Sequence, residues 1–208
     1  MGPATLNVWT ANNTYTTFEA LATYEKQIKN HTFKLLAGTS VEQSNNKGLE
    51  GYRNTFPNNY LYELGSGDKS TATNDSSLEE YALLSFFGRI NYAWKDRYLL
   101  EVNLRYDGSS RFAKGNRWGF FPSASLGWNI TREQFMMPIA DVVSNLKLRA
   151  SYGLLGNQAG AALYTFAATM DLNDKLGNYI FSDGRHIFTK APAVVSPNTT
   201  WEKWRVRI

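Results

Sequence analysis

The chain has 208 residues, 43% apolar and 14% aromatic, which excludes an intrinsically disordered segment. Its formal net charge is +4 and its basic residues are scattered, so the patch or stripe of a nucleic-acid-binding protein is not expected. With no cysteine there are no disulfides and no thiolate metal sites. No run approaches the ~18 apolar residues of a membrane-spanning helix, and the start, MGPATLNVWTANNTYTT, lacks the basic-then-apolar layout of a secretory signal.

Period-2 alternation predicts seven strands. They run near Tyr15 to Gln27, Thr32 to Gln43, Tyr81 to Trp94, Arg97 to Tyr106, Arg117 to Ile130 and Asn145 to Leu155, with a seventh beginning near Thr200. TWEKWRVRI stops at Ile208 inside that last pattern, so the chain is expected to be an internal piece of a longer exported protein. Lys29-Asn30-His31 and Lys95-Asp96 are short connections. Ser44 to Glu80 and Gly156 to Thr199 are long ones, rich in polar residues, and Asp107 to Asn116 is of modest length. Thr131 to Ser144 is long for its place among the short turns. Its REQFMMPIADVV is expected to form a short helical turn limited by Pro138.

Several predicted strands exceed the ~5–6 residues of soluble strands and reach the ~9–11 needed to cross a bilayer at a tilt. Short and long connections alternate, as periplasmic turns and extracellular loops do in outer-membrane barrels. On the even positions lie Leu84, Phe86, Ile90, Tyr92 and Trp94; Tyr98, Leu100, Val102, Leu104 and Tyr106; Trp118, Phe120, Leu126 and Trp128; Leu146, Leu148 and Tyr152. Trp94, Tyr98 and Trp128 fall near one rim and Tyr106 and Trp118 near the other, with aliphatic residues between. Indole and phenol rings favour the headgroup level, so these five are lipid-girdle candidates. The odd positions carry Arg89, Glu101, Arg105 and Arg149, which are lumen-facing candidates; they line a watery interior or pair across strands. The fold expected is all-β, an antiparallel meander sheet forming part of a transmembrane barrel. A soluble β-sandwich with glycan-binding loops is the alternative, since it too buries one face of each strand. Pro122 cannot donate to a ladder, so a bulge or local irregularity is expected there.

The remaining motifs carry little chemistry. DGSSRF, from Asp107 to Phe112, reads as a structural turn more readily than as a binding motif. Tyr52, Phe56, Tyr60 and Tyr62 either stack on a sugar or pack their own loop. The histidines, His31 and His186, have no companion at metal-ligand or triad spacing. GSGDKS, Gly65 to Ser70, lacks the spacing of a phosphate loop, and DLNDKLG, Asp171 to Gly177, lacks the last glutamate of a calcium loop. No catalytic residue, cofactor or metal is expected, and the chain is not read as an enzyme.

DGSSRFAKGNRWGFFPSASLGWNI (Asp107 to Ile130) and LKLRASYGLLGNQ (Leu146 to Gln158) resemble the barrel of SusC/RagA-type TonB-linked outer-membrane receptors of Bacteroidetes. SFFGRINYAWKDRYLL, NHTFKLLAGTSVEQ and TWEKW are similar to the same family. The resemblance implies a barrel of about 22 strands, of which residues 1–208 would be one part, with a plug and a signal peptide elsewhere. It implies import of an oligosaccharide or peptide across the outer membrane, powered through TonB, beneath a SusD-like surface lipoprotein.

Overall fold

The computed structural model describes residues 4–139, 141–167, 178–180, 186–188 and 195–208. Ten strands follow in order: β1 (Thr5–Ile28), β2 (His31–Asn54), β3 (Thr73–Trp94), β4 (Tyr98–Ser109), β5 (Trp118–Phe120), β6 (Ser123–Asn129), β7 (Lys147–Asn157), β8 (Asn178–Ile180), β9 (His186–Phe188) and β10 (Glu202–Arg207). One sheet takes the order β1-β2-β3-β4-β6-β7-β10, with β5 also pairing β4; β8 and β9 form a separate hairpin. Consecutive long strands are neighbours, as a meander requires, and the pairings from β3 to β10 are antiparallel. Among the described residues there is no α-helix, only short 3-10 turns.

The chain divides into two compact units. The first comprises Met1–Phe18 and Glu42–Ala82. Here the expectation of a loop from Ser44 to Glu80 is corrected: β2 continues to Asn54 and β3 begins at Thr73, leaving only residues 55–72 between them. Asn, Ser and Thr occupy both faces of these strands, so no alternation marks them, yet backbone pairing needs no apolar face. Side chains reinforce it. The Tyr15 hydroxyl donates to Glu42 at 2.6 Å, the Asn7 amide to Glu50 and the Asn45 amide to Glu80. In the connection, Asp68 N–H donates to the Asn54 carbonyl at 3.1 Å and Asn54 N–H to Thr71 Oγ1 at 3.0 Å.

The second unit comprises Glu19–Val41 and Leu83–Ile208. Its turn at Lys95 and Asp96 is left-handed at both residues (φ 54° and 52°) and closes with Arg97 N–H on the Trp94 carbonyl at 2.9 Å. The predicted fifth strand is split into β5 and β6 at Phe121-Pro122. It is an interruption without a bulge. Tyr106 faces Phe120 before the gap and Asn103 faces Ser123 after it, so no residue is inserted and the side-chain parity carries through. The gap is bridged by Phe121 N–H to the Arg105 carbonyl at 2.8 Å and by Leu154 N–H to the Pro122 carbonyl at 3.0 Å.

Among the described residues few apolar side chains are buried: Leu83, Phe112, Phe121 and Trp201 form one cluster with Ala161 against it, and Met136 is buried apart from it. The cluster lies on the odd-parity side, where Leu83 faces Ser109 and Ser85 faces Asp107. Phe121 lies over two glycines; a Cβ on Gly156 would come within 2.1 Å of its ring and one on Gly119 within 2.4 Å. The odd side is therefore not uniformly open and watery, as the alternation suggested. At its end towards the DGSSRF turn it is packed.

Candidate functional site

The two faces of the β3-β4-β6-β7 sheet are the candidate functional surface. Register fixes what each carries, because directly opposed residues in an antiparallel pair project from the same side. Rows cross the even side as Ile90, Val102, Ala124 and Tyr152; as Tyr92, Leu100, Leu126 and Ala150; and as Trp94, Tyr98, Trp128 and Leu148. In the described structure this side is left open: Leu126 is 62% exposed and Leu148 61%. That is the reverse of a sandwich, in which these leucines would be sealed beneath a second sheet.

All five girdle candidates lie on that side, in two clusters. Trp94 stacks on Tyr98 (5.5 Å between centroids) and Tyr98 on Trp128 (6.4 Å). Some eight to ten residues along each strand, Tyr106 stacks on Trp118 (4.6 Å), which also stacks on Phe86 (6.3 Å). The sequence places His31 in a turn, with no companion at metal-ligand or triad spacing. The structure sets its ring against Tyr92 and Trp94, with Nδ1 2.8 Å from the Tyr92 hydroxyl. The histidine belongs to the first cluster; among the described residues no group of ligands could hold a metal.

The odd side is polar and largely self-satisfied. Arg89 Nε donates to Asn103 Oδ1 at 2.6 Å, and Asn103 Nδ2 donates to Glu101 Oε1 at 3.0 Å. Arg105 Nε reaches both oxygens of Asp107 (2.9 and 2.8 Å) and its Nη2 donates to Ser85 Oγ at 3.1 Å. The Arg89–Asn103 and Arg105–Ser85 bonds cross between β3 and β4, whereas Asn103–Glu101 and Arg105–Asp107 lie within β4. Arg149 faces Gly127, makes no hydrogen bond or ion pair among the described residues, and lines a hollow of about 220 Å³ with Lys147, Glu101, Ser125 and Asn91. At β10, Arg205 and Arg207 oppose Leu154 and Tyr152, and Trp204 and Val206 oppose Leu155 and Gly153. The Arg207 guanidinium lies 6.0 Å from the centre of the Tyr152 ring.

DGSSRF is a structural turn. Asp107 and Ser109 are buried within it, Ser109 N–H donates to the Arg117 carbonyl at 3.0 Å, and Ser109 Oγ accepts from Arg111 N–H at 3.2 Å. Arg111 Nη1 reaches the Ala161 carbonyl at 3.0 Å and Trp201 Nε1 the Arg117 carbonyl at 2.8 Å, so the turn fastens β10 and the segment after β7 to β4. GSGDKS forms two 3-10 turns rather than a phosphate cradle. Asp68 accepts from Ser70 N–H at 2.9 Å, and that bond holds its carboxyl below its ordinary pKa. The four loop aromatics divide: Phe56 packs over Gly67 and Tyr52 is half-buried, whereas Tyr60 and Tyr62 are 86% and 75% exposed. DLNDKLG and the His186 side chain lie outside the described residues.

Residues 2–198 match the family model described as TonB dependent receptor-like, beta-barrel. The chain belongs to the TonB-dependent receptor β-barrel family. Within that family it is of the SusC/RagA type. It is 41% identical over 121 residues to the TonB-dependent receptor SusC of Bacteroides thetaiotaomicron, covering 58% of this chain and 12% of SusC. It is 35% identical over 182 residues to the TonB-dependent receptor P26 of Formosa agariphila, covering 86% of this chain and 18% of P26. A solved structure of the RagAB peptide transporter superposes on 96% of this chain and 21% of its own with a TM-score of 0.81 at 23% identity, a likeness of fold. The chain therefore spans roughly an eighth to a fifth of the length of these TonB-dependent receptors.

Proposed function

We propose that residues 1–208 are part of the barrel wall of an outer-membrane receptor that imports a bulky nutrient, an oligosaccharide or a peptide, with energy delivered through TonB. The observation that carries this reading is the open even side. An aliphatic band between two stacked aromatic clusters, with leucines over 60% exposed, is favourable in hydrocarbon and costly in water. The opposite side, with its arginines, asparagines and serines, supplies polar lining for an aqueous passage. Transport rather than catalysis follows from that division of labour, and the relatives are named as receptors.

In this reading β1, β2 and β3, at 24, 24 and 22 residues, are about twice the ~9–11 needed to cross the hydrocarbon, so each extends into water. Tyr60 and Tyr62, on the loop joining two of them, are the side chains best exposed for stacking on substrate. Arg149 and Lys147 are free to meet substrate or a plug from the polar side. A SusD-like surface lipoprotein is the partner expected at the loop end. Solubility tests the reading directly. The full-length receptor should stay in the membrane fraction after alkaline extraction and be released only by detergent; release into buffer alone would overturn it in favour of a soluble binding module.

A further inference from the structure

The connection between β6 and β7 has an arrangement that the barrel reading does not require. It carries 3-10 turns at Ile130–Arg132 and Gln134–Ile139. Glu133, between them, accepts from Trp128 Nε1 at 3.1 Å and pairs with Arg97 Nη1 at 3.2 Å; its carboxylate is only 12% exposed. Trp128 belongs to the apolar side, so Glu133 pins the connection to the lipid-side girdle. Beyond that pin Met136 is buried, while Phe135, Met137, Ile139 and Val142 are 63%, 71%, 46% and 86% exposed. Four such side chains in a segment this short are too many to leave to solvent without a role.

Beside them is a hollow of about 580 Å³ at the turns, lined by Lys29, Lys95, Arg97, Arg132, Asp96, Glu133 and Met137 among others. Arg132 pairs with Asp96 at 2.9 Å and Arg97 with Glu133, whereas Lys29 and Lys95 form no salt bridge among the described residues. Lys95 instead sits 5.4 Å over the Trp94 ring. The hollow is thus cationic on balance and opens next to exposed apolar side chains and a stacked aromatic cluster. Apolar groups, indole rings and cations together match the depth profile of a phospholipid surface: acyl chains, then glycerol, then phosphate.

We propose that the β6–β7 connection is an interfacial foot. Phe135, Met137, Ile139 and Val142 enter the headgroup and upper acyl region of the adjoining leaflet, and Lys29 and Lys95 engage the phosphates of anionic phospholipids. The occupant is lipid because the foot is anchored to the same aromatic cluster that borders the apolar band, and because its charge complements phosphate. The proposal rests on the reading of that band as lipid-facing.

The test uses full-length receptor reconstituted into vesicles, with single cysteines, Met137→Cys or Leu126→Cys, carrying an environment-sensitive fluorophore. Leu126→Cys should be quenched by a quencher on deep acyl positions; failure there would sink the barrel reading itself. With that control positive, Met137→Cys should lose most of its emission to a quencher placed near the headgroup, and little to aqueous iodide. Dominant quenching by iodide, or shielding from both quenchers as under another protein segment, would overturn the foot. In phosphatidylglycerol-containing vesicles the Met137 label should be shifted further to the blue than in phosphatidylcholine alone, and the Lys29→Gln/Lys95→Gln pair should abolish the difference. An unchanged phosphatidylglycerol preference would overturn the assignment of the two lysines.

Discussion

Strands β4, β6 and β7 with the part of β3 from Leu83, and the stretches of β1, β2 and β3 in the first unit, are built by the same backbone pairing, yet their side chains do different things. In the first group the even positions are apolar and unburied, and several of the alternate ones are tied in the chains Arg89–Asn103–Glu101 and Ser85–Arg105–Asp107. In the second group polar residues lie on both sides, and side chains are joined in pairs such as Tyr15 with Glu42 and Asn7 with Glu50. On the proposed reading of the chain as barrel wall, the difference teaches that alternation records the medium on each side of a sheet. A lipid-facing side must be apolar; a strand with water on both sides has no such constraint.

The sharpest way to break this comparison is to put one charge in each region. Leu126→Arg should destabilise the folded receptor in vesicles by about 2–4 kcal/mol, since a cation near the bilayer midplane is costly. Asn74→Arg, on an exposed stretch of β3, should change stability by no more than about 0.5 kcal/mol. Equal effects in urea unfolding would erase the distinction between the two regions. Next in size, Asp107→Ala removes a carboxylate that is 5% exposed. It should cost about 1–3 kcal/mol, towards the lower end because the Arg105 side chain is 45% exposed. Trp118→Ala removes the stacks on Tyr106 and Phe86 and should cost about 0.5–1.5 kcal/mol beyond the area lost; a double-mutant cycle with Tyr106→Ala isolates that part.

The smallest effect concerns pH. Hydrogen bonds from Trp128 and Tyr98, with Arg97 and Lys95 nearby, hold the Glu133 carboxyl below its ordinary pKa of 4.5. A carboxylate lowered on folding stabilises the fold above its unfolded pKa, and that contribution disappears as pH falls through the folded value. Thermal midpoints of the Glu133→Gln variant should therefore lie below those of the wild type at neutral pH and converge with them in acid. A constant gap between the two curves would show that Glu133 acts by shape rather than charge.

The even-side apolar rows, both short turns, the parity that brings the two aromatic clusters to one side and the DGSSRF turn were all legible in the sequence, because each is encoded by neighbours two to four positions apart. Pro122 marked the break between β5 and β6 for the same reason: its missing donor is a local property. What only the tertiary structure decided depends on residues far apart in the chain. Trp201 closing over Phe112 and Phe121, Glu133 reaching Trp128 and Arg97, and β10 setting the Arg207 guanidinium over Tyr152 are products of register and loop path. The long polar reaches of β1, β2 and β3 were hidden for a related cause. A ladder is made of backbone groups that every residue carries, so where the side chains bear no one-sided burden the sequence leaves no mark of the strand.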